Sequence, residues 1–264
     1  MLQVRTVLII LLAQVLTVSG LRSADFEVGP SDADSGSAQA SPSSPADLGI
    51  PASSVPVPLE AGDVPTALVL KKYELRTDLK FHGGGGILGK AYLGLFPRFF
   101  LGGAVELRNF IGSGDLHLTR DDAQLLARLQ VIKEDDALPA IAIGWDGPAY
   151  ERGEAKGLYL AVSKELPTSI AFIRFNGGIN SANVETFVAS RDLRANFAVT
   201  TAYRDVSLFT EVDEVLHPLG SRWNAGFSVT MAPITLGLEF RDLASQRPST
   251  PVSRLLRISW AGRF

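Results

Sequence analysis

The run GGGILGK, Gly84 to Lys90, has the G-x-x-x-x-G-K spacing of a loop that cradles phosphate on its backbone N–H groups. Such a loop needs Ser or Thr after the lysine for a magnesium ion, and a helix behind it to aim the N–H groups. Here Ala91 follows and KAYLGLF has strand character, so the glycines are expected to form a hairpin turn. The histidines His82, His117 and His217 fall near expected strand ends or in connections. His117 lies close to Ser113, the base and nucleophile a hydrolase would need, but the spacing marks no nucleophile. His117 with Asp121 and Asp122, or Asp213 and Glu214 with His217, offers nitrogen and oxygen ligands for a metal. Acidic loop clusters are more often simply solvated, so no catalytic residue, cofactor or metal site is assigned.

The largest chemically competent group is ionic and periodic. Arg76, Asp78 and Lys80 fall on the polar phase of one expected strand, and Glu106 with Arg108 on that of another. Glu211 and Asp213, then Arg222, then Glu239 and Arg241, and finally Arg257 and Arg263 continue the series. Charges of mixed sign on one face either pair across an interior and close it, or line a narrow hydrophilic path whose arginine excess favours anions.

The elements that must carry these residues are strands. In KYELRTDLKFH, Tyr73, Leu75, Thr77, Leu79 and Phe81 alternate with Lys72, Glu74, Arg76, Asp78, Lys80 and His82, so one face is apolar and the other charged. LRANFAVTTAYR, RWNAGFSVTM and ITLGLEFR repeat the contrast. DDAQLLARLQVIKEDD has some helical periodicity but is taken as a strand. Strands are expected at about 67–82, 86–96, 98–111, 123–134, 137–146, 157–166, 168–176, 193–204, 206–213, 221–231, 234–243 and 253–264. After the first hairpin, tight connections such as FPR, RDV and AP alternate with long ones, so short turns share one end.

An even strand count, sorted loop lengths, an apolar face and a charged face together predict an all-β fold: a single transmembrane antiparallel barrel of about 12 strands over residues 67–264. A soluble sandwich or lipocalin-like barrel would turn its apolar face inward and has no reason to sort its loops. At the amino terminus, Arg5 precedes the apolar run Thr6 to Val18, which as helix covers roughly 20 Å and is too short for a bilayer core of about 30 Å. Residues 1–23 therefore read as a secretory signal peptide. Residues 24–66, rich in Ser, Pro, Ala and Asp, read as a disordered linker. The expected location is a bacterial outer membrane with both termini periplasmic. The net charge of -3 gives no reason to expect nucleic acid, and the lack of cysteine excludes disulfides, thiol catalysis and thiolate metal sites.

LPAIAIGWDGPAYERGEAKGLYLAVSKEL (Leu138 to Leu166), SLFTEVDE (Ser207 to Glu214), WNAGFSVTM and LGLEFRDL resemble the YjbH-like outer-membrane barrel proteins. The family's P-A-x-A-x-G-x-D run matches Pro139 to Asp146, its YLVASK-like strand Tyr159 to Lys164, and its AEYD-like strand Thr210 to Asp213, with departures at Thr210 and Val212. The resemblance implies a non-enzymatic outer-membrane barrel with an envelope or exopolysaccharide-associated role. The alternatives are a narrow channel for small anionic solutes such as acidic sugars and, less favoured, an outer-membrane hydrolase. The closing decapeptide LLRISWAGRF, in which Leu256, Ile258, Trp260 and Phe264 share a face, looks like the carboxy-terminal signal read by barrel-assembly machinery. The implied partners are that machinery, periplasmic chaperones, outer-membrane lipid, and a polysaccharide or small anionic solute.

Overall fold

A strand with one apolar and one charged face satisfies both only if lipid meets the first and a shared interior the second. In the computed structural model, which describes residues 58–112, 123–149, 155–168, 171–182, 184–189, 193–215, 221–244 and 252–264, twelve such strands close into one barrel. They are β1 (Glu74–His82), β2 (Ile87–Phe96), β3 (Phe99–Leu107), β4 (Ala123–Ile132), β5 (Ala140–Ala149) and β6 (Ala155–Pro167). The second half comprises β7 (Phe172–Ser181), β8 (Arg194–Tyr203), β9 (Val206–Asp213), β10 (Arg222–Met231), β11 (Ile234–Arg241) and β12 (Ser253–Arg263). The segment read against a helical alternative is β4. Ser113, His117, Asp121, Asp122, His217, residues 1–23 and residues 24–57 lie outside the described residues.

Each strand pairs antiparallel with its neighbours, and β12 closes on β1 from Glu74↔Arg263 to His82↔Leu255. Phe264 N–H donates to the Tyr73 carbonyl at 3.3 Å, extending the seam one residue beyond the ladder. Tight turns gather at the end where β1 starts and β12 stops. Pro97 and Arg98 form one of them, with Arg98 taking the left-handed φ of 72° that the reversal needs. In the connection from β4 to β5, the Leu138 and Ala137 N–H groups donate to Asp135 Oδ1 at 2.7 and 2.9 Å and hold its carboxyl below the usual carboxylate range. The other end carries the longer connections, among them a short helix α1 (Val184–Val188) between β7 and β8.

Leu79, Leu101, Leu125, Leu129, Ile143, Phe197, Leu208, Phe227, Leu236 and Leu256 stand exposed on the outer face, contributed by strands all round the wall. Trp260 and Phe264 extend this belt at the short-turn end. A belt of that extent would aggregate in water, whereas it matches the hydrocarbon layer around a barrel. Among the described residues no helix is long and apolar enough to cross a membrane, and the strands do the crossing. The barrel fits a bacterial outer membrane.

The interior departs from expectation. The first expected strand, 67–82, begins as β1 only at Glu74, and residues 58–66, assigned from composition to the disordered linker, are ordered inside the barrel. They form a hairpin: Glu60 and Pro65 make an antiparallel bridge, Ala61 N–H donates to the Val64 carbonyl at 2.9 Å, and Thr66 N–H to the Leu59 carbonyl at 3.0 Å. Composition misjudged this stretch because a segment poor in apolar residues can still be ordered when surrounding walls supply the partners. The chain then returns past Leu70 and reverses at Tyr73, whose φ is 63°, into β1. Gly94 on β2 lets it pass, since a Cβ there would come within 2.0 Å of the Lys71 carbonyl oxygen.

Candidate functional site

The hairpin is seated by three apolar contacts spread around the wall. Leu59 and Leu70 pack with Leu88, Tyr92, Phe100, Ala104 and Leu126 on the inner faces of β2, β3 and β4. Ala67 packs with Ala140, Ala142, Tyr159 and Ala161 of β5 and β6, and Ala61 and Val64 with Ala198 and Phe209 of β8 and β9. Full burial of a leucine contributes roughly 1.5–3 kcal/mol, so Leu59 and Leu70 alone make a firm anchor.

Polar contacts then fix the hairpin's depth and register. The Glu211 carboxylate on β9 accepts N–H bonds from Gly62 (2.9 Å), Asp63 (2.9 Å) and Val64 (3.1 Å) at the hairpin tip, and another from Asn224 Nδ2 at 2.7 Å. Successive backbone N–H groups converging on one carboxylate make an anion nest, with charge-assisted bonds stronger than neutral ones. Lower down, Arg128 donates to the Leu68 carbonyl at 2.8 Å, Gln130 Nε2 to the Ala67 carbonyl at 2.9 Å, and Ala67 N–H to Ser163 Oγ at 2.7 Å.

The hairpin also brings charge into the lumen. Glu60 splits its carboxylate between Lys80 Nζ at 3.0 Å and Lys90 Nζ at 2.6 Å, and Tyr92 Oη lies 3.4 Å away. Asp63 meets Lys80 Nζ at 3.4 Å and pairs with Arg241. Lys80 also donates to the Gly62 carbonyl at 2.7 Å, so one ammonium makes three contacts with the hairpin. On its far side Lys90 reaches Asp146 of β5 at 3.3 Å.

The remaining sequence-derived lumen residues sort into wall-to-wall pairs. Arg76 and Arg257 flank Asp78 at 3.0 and 3.3 Å, and Arg257 reaches Glu239 at 3.5 Å, tying β1, β12 and β11 together. Toward the long-loop end, Asp213 pairs with Lys156 and with Arg222 at 3.2 Å, and Glu214 with Arg222 at 3.2 Å and Arg194 at 3.4 Å. Glu106 is buried beside His82 at 3.2 Å. Arg108 lies past the end of β3 with its side chain 51% exposed, and Arg263 is exposed at the short-turn end of β12. Those two sit at the barrel's mouths rather than within its interior, because each strand's polar phase runs beyond the enclosed length.

Between the hairpin and β1 and β8 to β12 lies a cavity of about 60 Å³, lined in part by Glu60, Arg76, Phe209, Glu239, Arg257 and Ser259. That is room for a few waters. Sequence reasoning missed Glu60, Asp63, Lys90, Asp146 and Lys156. A signal was present nonetheless: β2 and β3, ILGKAYLGLF and FFLGGAVEL, each carry one charge, Lys90 and Glu106, and are otherwise uncharged on both faces, which in a lipid-bound wall means something apolar also covers the inside. Gly83 to Gly86 form the β1–β2 turn, with Gly85 at φ 75°, and Ile87 to Lys90 open β2, which points Lys90 inward. Among the described residues no cluster of His, Asp and Glu could hold a metal ion.

No protein-family model and no curated protein matches the chain, so the YjbH-like resemblance rests on the residues quoted for it. Among solved structures, the chain is similar to a KdgM porin at a TM-score of 0.44 and 10% identity, over 72% of this chain and 99% of that one. It is also similar to a KdgM porin in complex with disordered oligogalacturonate, at a TM-score of 0.39 and 10% identity with the same coverage.

Proposed function

We propose that this protein is a narrow hydrophilic outer-membrane channel for small anionic solutes, held closed by its own amino-terminal hairpin, with both termini periplasmic. The observation that carries this reading is the origin of the charges. Lys80, Lys90 and Arg241 belong to the wall, whereas the Glu60 and Asp63 carboxylates that meet them belong to a hairpin joined to the wall through residues 67–73. With the hairpin withdrawn, three wall cations, Lys80, Lys90 and Arg241, lose the hairpin carboxylates while one wall carboxylate, Glu211, loses the hairpin N–H groups, and an excess of cations lining a low-dielectric path favours anions. A passive path needs no nucleophile, cofactor or metal.

Planar-bilayer recording of the refolded full chain tests it. The expected result is rare openings that become frequent in Glu60→Gln/Asp63→Asn, prefer anions, and lose that preference in Arg257→Ala or Arg76→Ala. Faster entry of galacturonate than of galactose into protein-loaded vesicles would show the same preference for an acidic sugar. A silent bilayer for the wild type and for the hairpin variant overturns the channel.

A second reading is favoured by how fully the hairpin fills the lumen: a closed barrel with the envelope or exopolysaccharide-associated role that the YjbH-like resemblance implies. Loss of a surface polymer on deletion, with permeability unchanged, would support it over the channel.

A further inference from the structure

The contacts of Glu60 and Asp63 have a definite chemical form. Two carboxylates share the single ammonium of Lys80, at 3.0 and 3.4 Å, and are flanked by one further cation each, Lys90 on β2 for Glu60 and Arg241 on β11 for Asp63. The three cations come from different strands on either side of the β1–β12 seam, so closure of the wall brings them together. Nothing in the arrangement requires that the two carboxylates belong to the protein. A small molecule with two carboxylates a few bonds apart presents the same groups to the same cations.

We propose that Lys80, Lys90 and Arg241 form a dicarboxylate-binding site in the lumen, and that Glu60 and Asp63 occupy it as a built-in competitor. The proposal deepens the channel reading and rests on it for the route by which solute arrives. A tethered competitor acts at an effective concentration of order millimolar, and the Glu211 nest and the apolar seats add to its hold, so a free diacid displaces the tip only above that level. Binding therefore couples to opening: the solute that takes the cations frees the tip. The nest on Glu211 and the apolar seats of Leu59 and Leu70 return the hairpin when the solute leaves.

The chain contains no cysteine, so a single introduced thiol reports on the hairpin alone. Ala61→Cys places it at the buried tip with little change in volume. In the refolded full chain in vesicles, its reaction with a membrane-impermeant maleimide should be slow. Adding Glu60→Gln/Asp63→Asn should speed it by roughly ten- to a hundredfold, the loss of a few charge-assisted bonds. Succinate at about 10 mM should also accelerate it, whereas butyrate at equal ionic strength should not, and Lys90→Met should abolish the response to succinate. Labelling indifferent to succinate overturns the site, and this comparison needs only Ala61→Cys, so it stands even if the charge variants lose the heat-modifiable shift of a folded barrel. Succinate-accelerated labelling without solute passage keeps the site and removes the channel. Solute passage with labelling blind to succinate keeps the channel and removes the site.

Discussion

The two faces of the barrel wall obey different rules. On the outer face, Leu79, Leu129, Phe227 and Leu256 need only be apolar, since lipid adapts to any shape and one large apolar residue serves as well as another. On the inner face, Lys80, Asp78, Glu211 and Asp213 are almost completely buried, and each depends on a specific partner at hydrogen-bond distance. The outer face tolerates substitution within a class; the inner face is sensitive to single atoms. The difference lies in the environment: lipid is a disordered solvent, while the lumen contains a fixed counterpart, the hairpin.

Lys80→Met tests that contrast most sharply. It leaves Glu60 and Asp63 with buried charge that has lost its shared cation, and should lower stability by about 3–5 kcal/mol in equilibrium unfolding from lipid vesicles. A loss well under that would mean the hairpin is only loosely seated. Ile258→Arg puts a charge on the lipid face near the middle of β12, with an expected cost of about 2–4 kcal/mol, while Ile258→Leu should change almost nothing. If the leucine variant were as damaging as the arginine one, the outer face would be as specific as the inner.

Glu211→Gln keeps the shape of the side chain but removes the charge under the tip, and should weaken hairpin docking by roughly 1.5–3 kcal/mol without changing barrel closure. Faster maleimide labelling of Ala61→Cys in that background, with an unchanged heat-modifiable shift, is the readout. Arg108→Ala should be the mildest change, under about 1 kcal/mol, because the Arg108 side chain is half exposed at the barrel mouth and buried Glu106 keeps His82 beside it. A large loss there would show that the mouth is as tightly packed as the interior.

The wall was legible in the sequence to within a few residues at most strand ends. β1, β8, β10 and β11 carry an alternation of apolar and charged residues that only a two-sided environment explains. Arg76, Asp78, Lys80 and Arg257 could be assigned inward on phase alone. Their partners could not be read: Glu60 lies 20 positions from Lys80, and Asp63 lies 178 from Arg241, with no periodicity linking them. Serine, proline, alanine and aspartate across 24–66 suggested disorder, a judgement that assumes water as the surroundings. The apolar residues on the inner phases of β2 and β3 were the available clue that something apolar fills the lumen, and Leu59 and Leu70 fill it.

Strand identity, facing and the closure of β12 on β1 follow from the chain itself, because a period of two in a medium that solvates no backbone leaves a closed barrel as the solution. What occupies the lumen was decided only in three dimensions. The hairpin docks on the inner faces of β2 to β6, β8 and β9 and pairs with cations of β1, β2 and β11. That combination of surfaces does not exist until the barrel has closed, so no local pattern in residues 58–66 could encode it.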